Sequence, residues 1–183
     1  ILELGLNPAE LINTYRNLAL YPEVEMIREK HKRPDFNKEK TRLQEYLARS
    51  WNVLPRAVPT KGWDGLQKII RQARLRTRHL ELNQDRYFIK IFSGMNKSGP
   101  ITQNRWPTKE IAKGQKEAFD TFREDTIVPC LERWRYYCHY FIMELVLPAI
   151  AFFNEVRKKS SLMNFHDLLL GAAELLRNNP EVR

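Results

Sequence analysis

The sequence predicts an all-α fold, a multi-helix domain with one long kinked helix. Three observations carry this. Apolar residues recur at three- and four-residue spacing through most of the 183 residues, helix-start residues precede those runs, and Pro55, Pro59, Gly99, Pro100 and Pro107 punctuate the stretches between them. With 43% hydrophobic residues the chain is long enough to bury roughly 70% of its unfolded surface in one core, or in one core with an extension. Its formal charge of +9, from 31 Lys and Arg against 22 Asp and Glu, attracts polyanions before any specific contact forms. Nucleic acid is the first such partner to consider and an anionic membrane surface the second.

The first helix starts at Asn7-Pro8-Ala9-Glu10, where Asn7 suits a cap, Pro8 needs no donor in the first turn and Glu10 is placed to close a capping box. It runs to about Leu20, Tyr21-Pro22 ends it, and Glu23 to Lys32 is expected to form a second short helix before Arg33-Pro34. From Lys38 to Ser50, Leu43, Tyr46 and Leu47 recur at helical spacing. In Trp63 to Leu82 the residues Leu66, Ile69, Ile70, Ala73 and Leu80 share one face, and Lys68, Arg71, Arg74 and Arg78 fall on the adjoining one. Residues 87–92 are compatible with a short strand or with the end of a helix. Ser93 to Pro107 reads as a loop.

Thr108 is expected to cap a helix to about Asp125, with Ile111, Ala118, Phe119 and Phe122 inward. From Pro129 to Lys159 a helix of roughly 46 Å follows. In it Leu131, Trp134, Cys138, Phe141, Leu145, Pro148 and Phe152 alternate by three and four residues, a packing seam that Pro148 should kink. Tyr136 to Phe153 is apolar for most of its length, but His139, Glu144 and Pro148 interrupt it, so a buried helix and no membrane partner are expected. The last helix spans about Asn164 to Asn178, with Leu168, Leu169, Ala172, Leu175 and Leu176 as its core stripe. Cys130 and Cys138, on one helix, lie about 12 Å apart along its axis, too far for a bridge. That reduced usage, with no signal-peptide pattern in Ile1 to Ile12, leads to an expected cytoplasmic location.

No catalytic or metal-binding residue is assigned. Gly94-Met95-Asn96-Lys97-Ser98-Gly99 has the glycine spacing of a phosphate loop, but Pro100-Ile101 stand where the lysine and hydroxyl residue belong. His31, His79, His139 and His166 are scattered, without a second ligand four residues on. Asn96-Lys97-Ser98 matches a glycosylation acceptor, a short pattern that arises often by chance. The basic stripe Lys68, Arg71, Arg74 and Arg78 is the strongest binding signal, because phosphate contacts need cations carried on a fixed helix; a solvated cationic face has the same pattern. Lys97, Arg105 and Trp106 are a second candidate, a basic loop beside an indole that either stacks a base or anchors the loop in the core. Arg28 to Arg42 is a third basic region, diluted by Glu29, Asp35 and Glu39.

At the C-terminal end, Asn164-Phe165-His166-Asp167-Leu168-Leu169-Leu170, followed by Glu174-Leu175-Leu176 and Asn179-Pro180-Glu181-Val182-Arg183, resembles a segment of UvrD/RecB-type DNA helicases, which typically carry Asp-Phe-Asp-Asp-Leu-Leu there. Phe165, Asp167, Leu168 and Leu169 keep that pattern; Asn164 and His166 replace its acidic residues. Ile101 to Pro107 and the long helix after it are similar to the accessory helical subdomain, called 1B, of RecB-like and AddA-like helicase-nucleases of the exonuclease V beta-subunit type, and Asn7 to Glu25 is similar to the same region. The resemblance implies that residues 1–163 form a DNA-guiding subdomain and residues 164–183 a helix leading back to a helicase motor; Phe165, Leu168 and Leu169 of that helix are then expected to be exposed or re-packed here. It also implies that DNA and that motor, in cis, are the partners in DNA repair or recombination. The resemblance further implies that ATP and Mg2+ are bound by a parent protein through motifs outside this chain, and no cofactor is expected within it. The reading from a different class is a stand-alone helical scaffold or protein-interaction module.

Overall fold

A computed structural model of the chain describes residues 4–20, 26–160, 165–179 and 181, and within 165–178 the backbone but not the side chains of 165–167, 170 and 174. The fold is mainly α. Helices α1 (Pro8–Leu20), α2 (Asn37–Val53), α3 (Gly65–His79), α4 (Asp85–Met95), α5 (Lys109–Phe122), α6 (Val128–Lys159) and α7 (Phe165–Asn178) are joined by loops, with no strand among the described residues. The chain divides into two compact units, one of Ile1–Asn7 and Arg28–Phe141 and the other of Pro8–Ile27 and Ile142–Arg183.

The first unit holds an aromatic core. Phe36 lies between Phe88 and Trp134 with ring centroids at 5.6 and 5.9 Å, and Tyr46 stacks parallel on Phe122 at 4.5 Å. Residues 87–92 are helical because Phe88, Ile89, Ile91, Phe92 and Met95 then fall on one face, all buried; strand alternation would split them between two. Burying a phenyl ring contributes about 1.5–3 kcal/mol, so Phe36, Phe88, Phe92 and Phe119, all fully buried, dominate this unit's stability. Gly94 sits in the last turn of α4 and not in a loop, and a Cβ there would lie 2.6 Å from Arg76 Nη1 of α3. Gly99 has φ +54 and a Cβ there would meet Phe119 at 2.9 Å, so both backbone and space require glycine.

Residues 26–36 are not helical, a correction to the helix expected over 23–32; residues 23–25 lie outside the described ones. Tertiary contacts override local propensity there. Arg33 pairs with Asp85 at 2.9 Å, Lys30 lies over the Tyr140 ring and His31 packs edge-on against Tyr136. Asp85, in the first turn of α4, also accepts from Lys40 at 3.2 Å, so two cations of the third basic region are tied to one carboxylate. Thr108 caps α5 through Ile111 N at 3.2 Å as expected, but Ala112 is buried in place of Ala118, which is exposed.

No break separates α5 from α6. A π turn at Arg123–Ile127 joins them into one continuous helix, Lys109–Lys159 of 51 residues, with Thr126 and Ile127 buried. Pro129 has no N–H to give the Asp125 carbonyl, and the wide turn just before it absorbs that mismatch. The expected α6 seam holds at Leu131, Trp134 and Cys138, all buried, and is lost further on. Leu145, Pro148 and Phe152 are exposed and Met143 and Val146 are buried instead. The apolar stretch of this helix is long and apolar enough to cross a membrane by length and composition, and only 17% of it is buried, so the expected buried helix is corrected to one that is mostly half-buried or exposed.

In the second unit, α1 has no buried residue, Tyr15 meets Phe153 edge-on at 6.3 Å, and the expected core stripe of α7 is exposed at Leu168, Leu169, Ala172, Leu175 and Leu176. The segment that resembles the helicase motif thus presents Leu168 and Leu169 to solvent; the side chains of Phe165 and Asp167 lie outside the described residues.

Candidate nucleic-acid interface

Helix α3 is fixed at its start by a network that sequence reasoning missed. Asp64 Oδ1 accepts from Gln67 N at 2.9 Å while Gln67 Oε1 accepts from Asp64 N at 3.0 Å, a reciprocal capping box. The other oxygen, Oδ2, accepts from Thr102 N at 3.0 Å and from Trp106 Nε1 at 2.6 Å. Gln67 Nε2 in turn donates to the Arg105 carbonyl at 2.9 Å. The spacing Asp64-x-x-Gln67 before an apolar run was the available signal. This network clamps the 100–106 loop to α3 and presents a rigid helix.

The apolar face of α3 is buried as expected at Leu66, Ile69, Ile70 and Ala73, which sets the height of the cations beside it. Lys68 and Arg78 are exposed and Arg71 and Arg74 half-buried, so the stripe lies at the surface of the first unit. Two of its members are held by aromatic rings. The Arg71 guanidinium sits 3.6 Å from the Trp63 ring centre and 5.1 Å from that of Trp51, and Arg74 lies 4.1 Å from Trp51. By contact the order is Trp63, Arg71, Trp51, Arg74, a ladder of alternating rings and cations. Arg71 Nη2 also donates to the Pro55 carbonyl at 2.8 Å. Arg71 is thus packed as well as charged, and replacing it removes both contributions.

Among the described residues no carboxylate pairs with Lys68, Arg71, Arg74 or Arg78. Burial holds the Arg71 and Arg74 guanidinium pKa values below their ordinary range, and for Arg74 the Arg78 charge one turn on adds to the effect. Like charges four residues apart on a helix repel by a few tenths of a kcal/mol, a cost that an anion at the surface removes.

The second sequence candidate does not assemble. Trp106 is buried with its Nε1 spent on Asp64, so it anchors the loop and cannot stack a base. Arg105 donates to the carbonyls of Gly62 and Trp63 at 3.3 and 3.2 Å, and Lys97 alone of the three is exposed. The indoles beside cations are Trp51 and Trp63, and no local spacing ties either to residue 71.

Beside the ladder a cleft of about 340 Å³ is lined by Trp51, Asn52, Leu54, Pro55, Arg56 and Arg71, with no carboxylate. No group of His, Cys, Asp or Glu among the described residues has a metal-holding arrangement. Both cysteines are free and buried. Burial pushes the Cys130 thiol up to about 12, with the Glu39 carboxylate adding to it, and burial pushes Cys138 up to about 12, so neither is a nucleophile near neutral pH. Glycines 94 and 99 do not frame one loop, and the strand, loop and helix order of a phosphate-binding motif is absent from this segment.

Comparison of the chain with family models, with curated proteins and with solved structures returns no match.

Proposed function

We propose that the chain is a DNA-binding helical module, and that it serves as the 1B-like accessory subdomain of an ATP-dependent UvrD/RecB-like helicase, with or without a nuclease domain, in DNA repair or recombination. The observation that carries DNA binding is the α3 face: Lys68, Arg71, Arg74 and Arg78 on one side of a capped, packed helix, two of them stacked on indoles and none paired with a carboxylate among the described residues. A phosphate backbone tracking along α3 meets cations at three- and four-residue intervals along one side of the helix. The helicase assignment rests on the sequence resemblance. In it ATP and Mg2+ are handled by the motor in cis, and this chain contributes DNA contacts and no catalytic residue.

A scaffold or protein-interaction role is favoured by one specific observation, the exposed apolar side chains Phe152, Phe153 and Val156 of α6 and Leu168, Leu169, Leu175 and Leu176 of α7. Salt titration separates the two. If four cations each neutralise one phosphate, the log-log plot of duplex affinity against salt has a slope of about −3.6, at roughly 0.9 per phosphate. Absence of binding, or binding indifferent to salt, overturns the DNA reading and leaves the scaffold.

A further inference from the structure

We infer that the outward line of α3 enters the major groove of B-form DNA, where Gln72 reads an adenine and Leu75 the methyl group of a thymine. The inference rests on the DNA-binding reading and adds to it the form of the nucleic acid and a sequence preference. Lys68, Gln72, Leu75 and His79 follow one another at spacings of four, three and four residues. They therefore form one line along the helix, on the side away from the buried Leu66, Ile69, Ile70 and Ala73. All four are exposed, Leu75 at 58%, and the side chains of Lys68, Gln72 and His79 are not hydrogen-bonded to any described residue. Within Gly65–His79 there is no acidic residue to oppose an anion.

Arginines flank that line on both sides. Arg71, Arg74 and Arg78 run along one edge. Along the other, the half-buried Arg76 lies against the last turn of α4, where Gly94 leaves it room. Lys68 and Arg78, exposed and without an ion pair among the described residues, take phosphate contacts, while the ring-held Arg71 and Arg74 add charge and keep their packing. A duplex carries a backbone on each side of its groove, and a single strand has only one. The major groove of B-form DNA, about 12 Å wide, admits an α-helix, whereas the deep and narrow one of an RNA duplex does not. An apolar tip in the middle of a cationic face gains nothing from phosphate. Together Gln72 and Leu75 match the two edges of an A·T pair: N6 and N7 of adenine take a bidentate glutamine, and the thymine methyl takes an apolar contact. The two residues lie about 4.5 Å apart along the axis, close to one base step, so they reach the same pair or adjoining ones.

The test selects duplexes bound by the full chain from a random-sequence DNA pool and measures the enriched duplex by fluorescence anisotropy. Two versions of it carry an adenine analogue lacking N7, or uracil for thymine, which delete the acceptor and the methyl group without altering charge. Expected are an enriched site bound roughly tenfold tighter than a scrambled duplex, and severalfold weaker binding of each modified duplex. Gln72→Ala should no longer distinguish the analogue from adenine, and Leu75→Ala should no longer distinguish uracil from thymine. Both side chains are exposed and alanine is the best helix former, so the fold is retained. The absence of an enriched sequence, modified duplexes bound as tightly as the unmodified one, or variants that discriminate as the unmodified chain does would each overturn the inference. If salt-dependent duplex binding persists in that case, the α3 face stands as a non-specific phosphate surface and the base reading falls; if the chain binds no nucleic acid, both fall together.

Discussion

Helices α3 and α7 are both amphipathic, of 15 and 14 residues, and their environments are opposite. In α3, Leu66 and Ile70 are 0% exposed and Ala73 2%; in α7, Leu168, Leu169 and Leu175 are 55%, 53% and 55% exposed. The difference lies in what surrounds them. Helix α3 packs on α2 and α4 and is stitched to the 100–106 loop through Asp64, whereas the described apolar side chains of α7 face solvent. An apolar stripe of period 3.6 specifies a helix and the face it will bury, but the covering partner comes from elsewhere. Only in the first unit does a described element cover the stripe this way, and that unit presents its cations on a rigid frame.

The largest effect that tests this contrast is a cavity. Phe88→Ala, at a fully buried ring between Phe36 and Phe92, should cost about 3–5 kcal/mol. Urea unfolding followed by tryptophan fluorescence reads it cleanly, because Trp51, Trp63, Trp106 and Trp134 all belong to the first unit. Asp64→Ala should follow at roughly 2–4 kcal/mol, since it strands the buried Trp106 Nε1 and removes the α3 cap. A loss under about 0.5 kcal/mol in that variant would mean the network is not what holds α3 in place.

A smaller, pH-dependent effect comes from groups kept neutral by burial. Tyr46 is pushed up to about 12 from an ordinary 10.0, and Cys130 and Cys138 up to about 12 from 9.0. Each folded-state value is raised, so the unfolded chain releases protons first as pH rises. The stability of the first unit should be fully present below pH 9 and fall progressively between pH 9 and 12, with both thiols inert to a disulfide reagent until unfolding. The smallest effect belongs to the other unit: Leu169→Ser should alter stability by less than about 0.5 kcal/mol, and a larger loss would mean α7 is covered in solution.

Much of the helical framework was legible in the sequence because it follows from local periodicity. The span of α1, the Thr108 cap and the apolar face of α3 are of this kind. What escaped were features set by distant residues. The non-helical segment around Lys30 to Arg33 depends on Tyr136, Tyr140 and Asp85, and the shift of the buried face along α6, with Met143 and Val146 buried in place of Leu145 and Phe152, depends on which elements pack there. The candidate site was half readable. The cationic stripe is a matter of helix spacing, while the indoles beside it come from α2 and from the loop before α3, about 20 and 8 residues from Arg71 in sequence, separations for which no local rule exists. Trp106 was the nearer indole in sequence to other cations and proved to be the loop's anchor.

If DNA binding came from net charge alone, cations in the two units would be interchangeable. The direct measurement is therefore the salt slope of DNA affinity for two variants that remove the same charge, Lys68→Gln with Arg78→Gln on α3, and Lys158→Gln with Lys159→Gln at the end of α6, all four side chains being exposed. On duplex DNA the α3 pair should flatten the slope by roughly 1.8, at about 0.9 for each phosphate no longer neutralised, and weaken binding for every sequence, while the α6 pair leaves the slope unchanged. Equal flattening in the two variants, or flattening confined to the Lys158 and Lys159 pair, would contradict a nucleic-acid interface on α3.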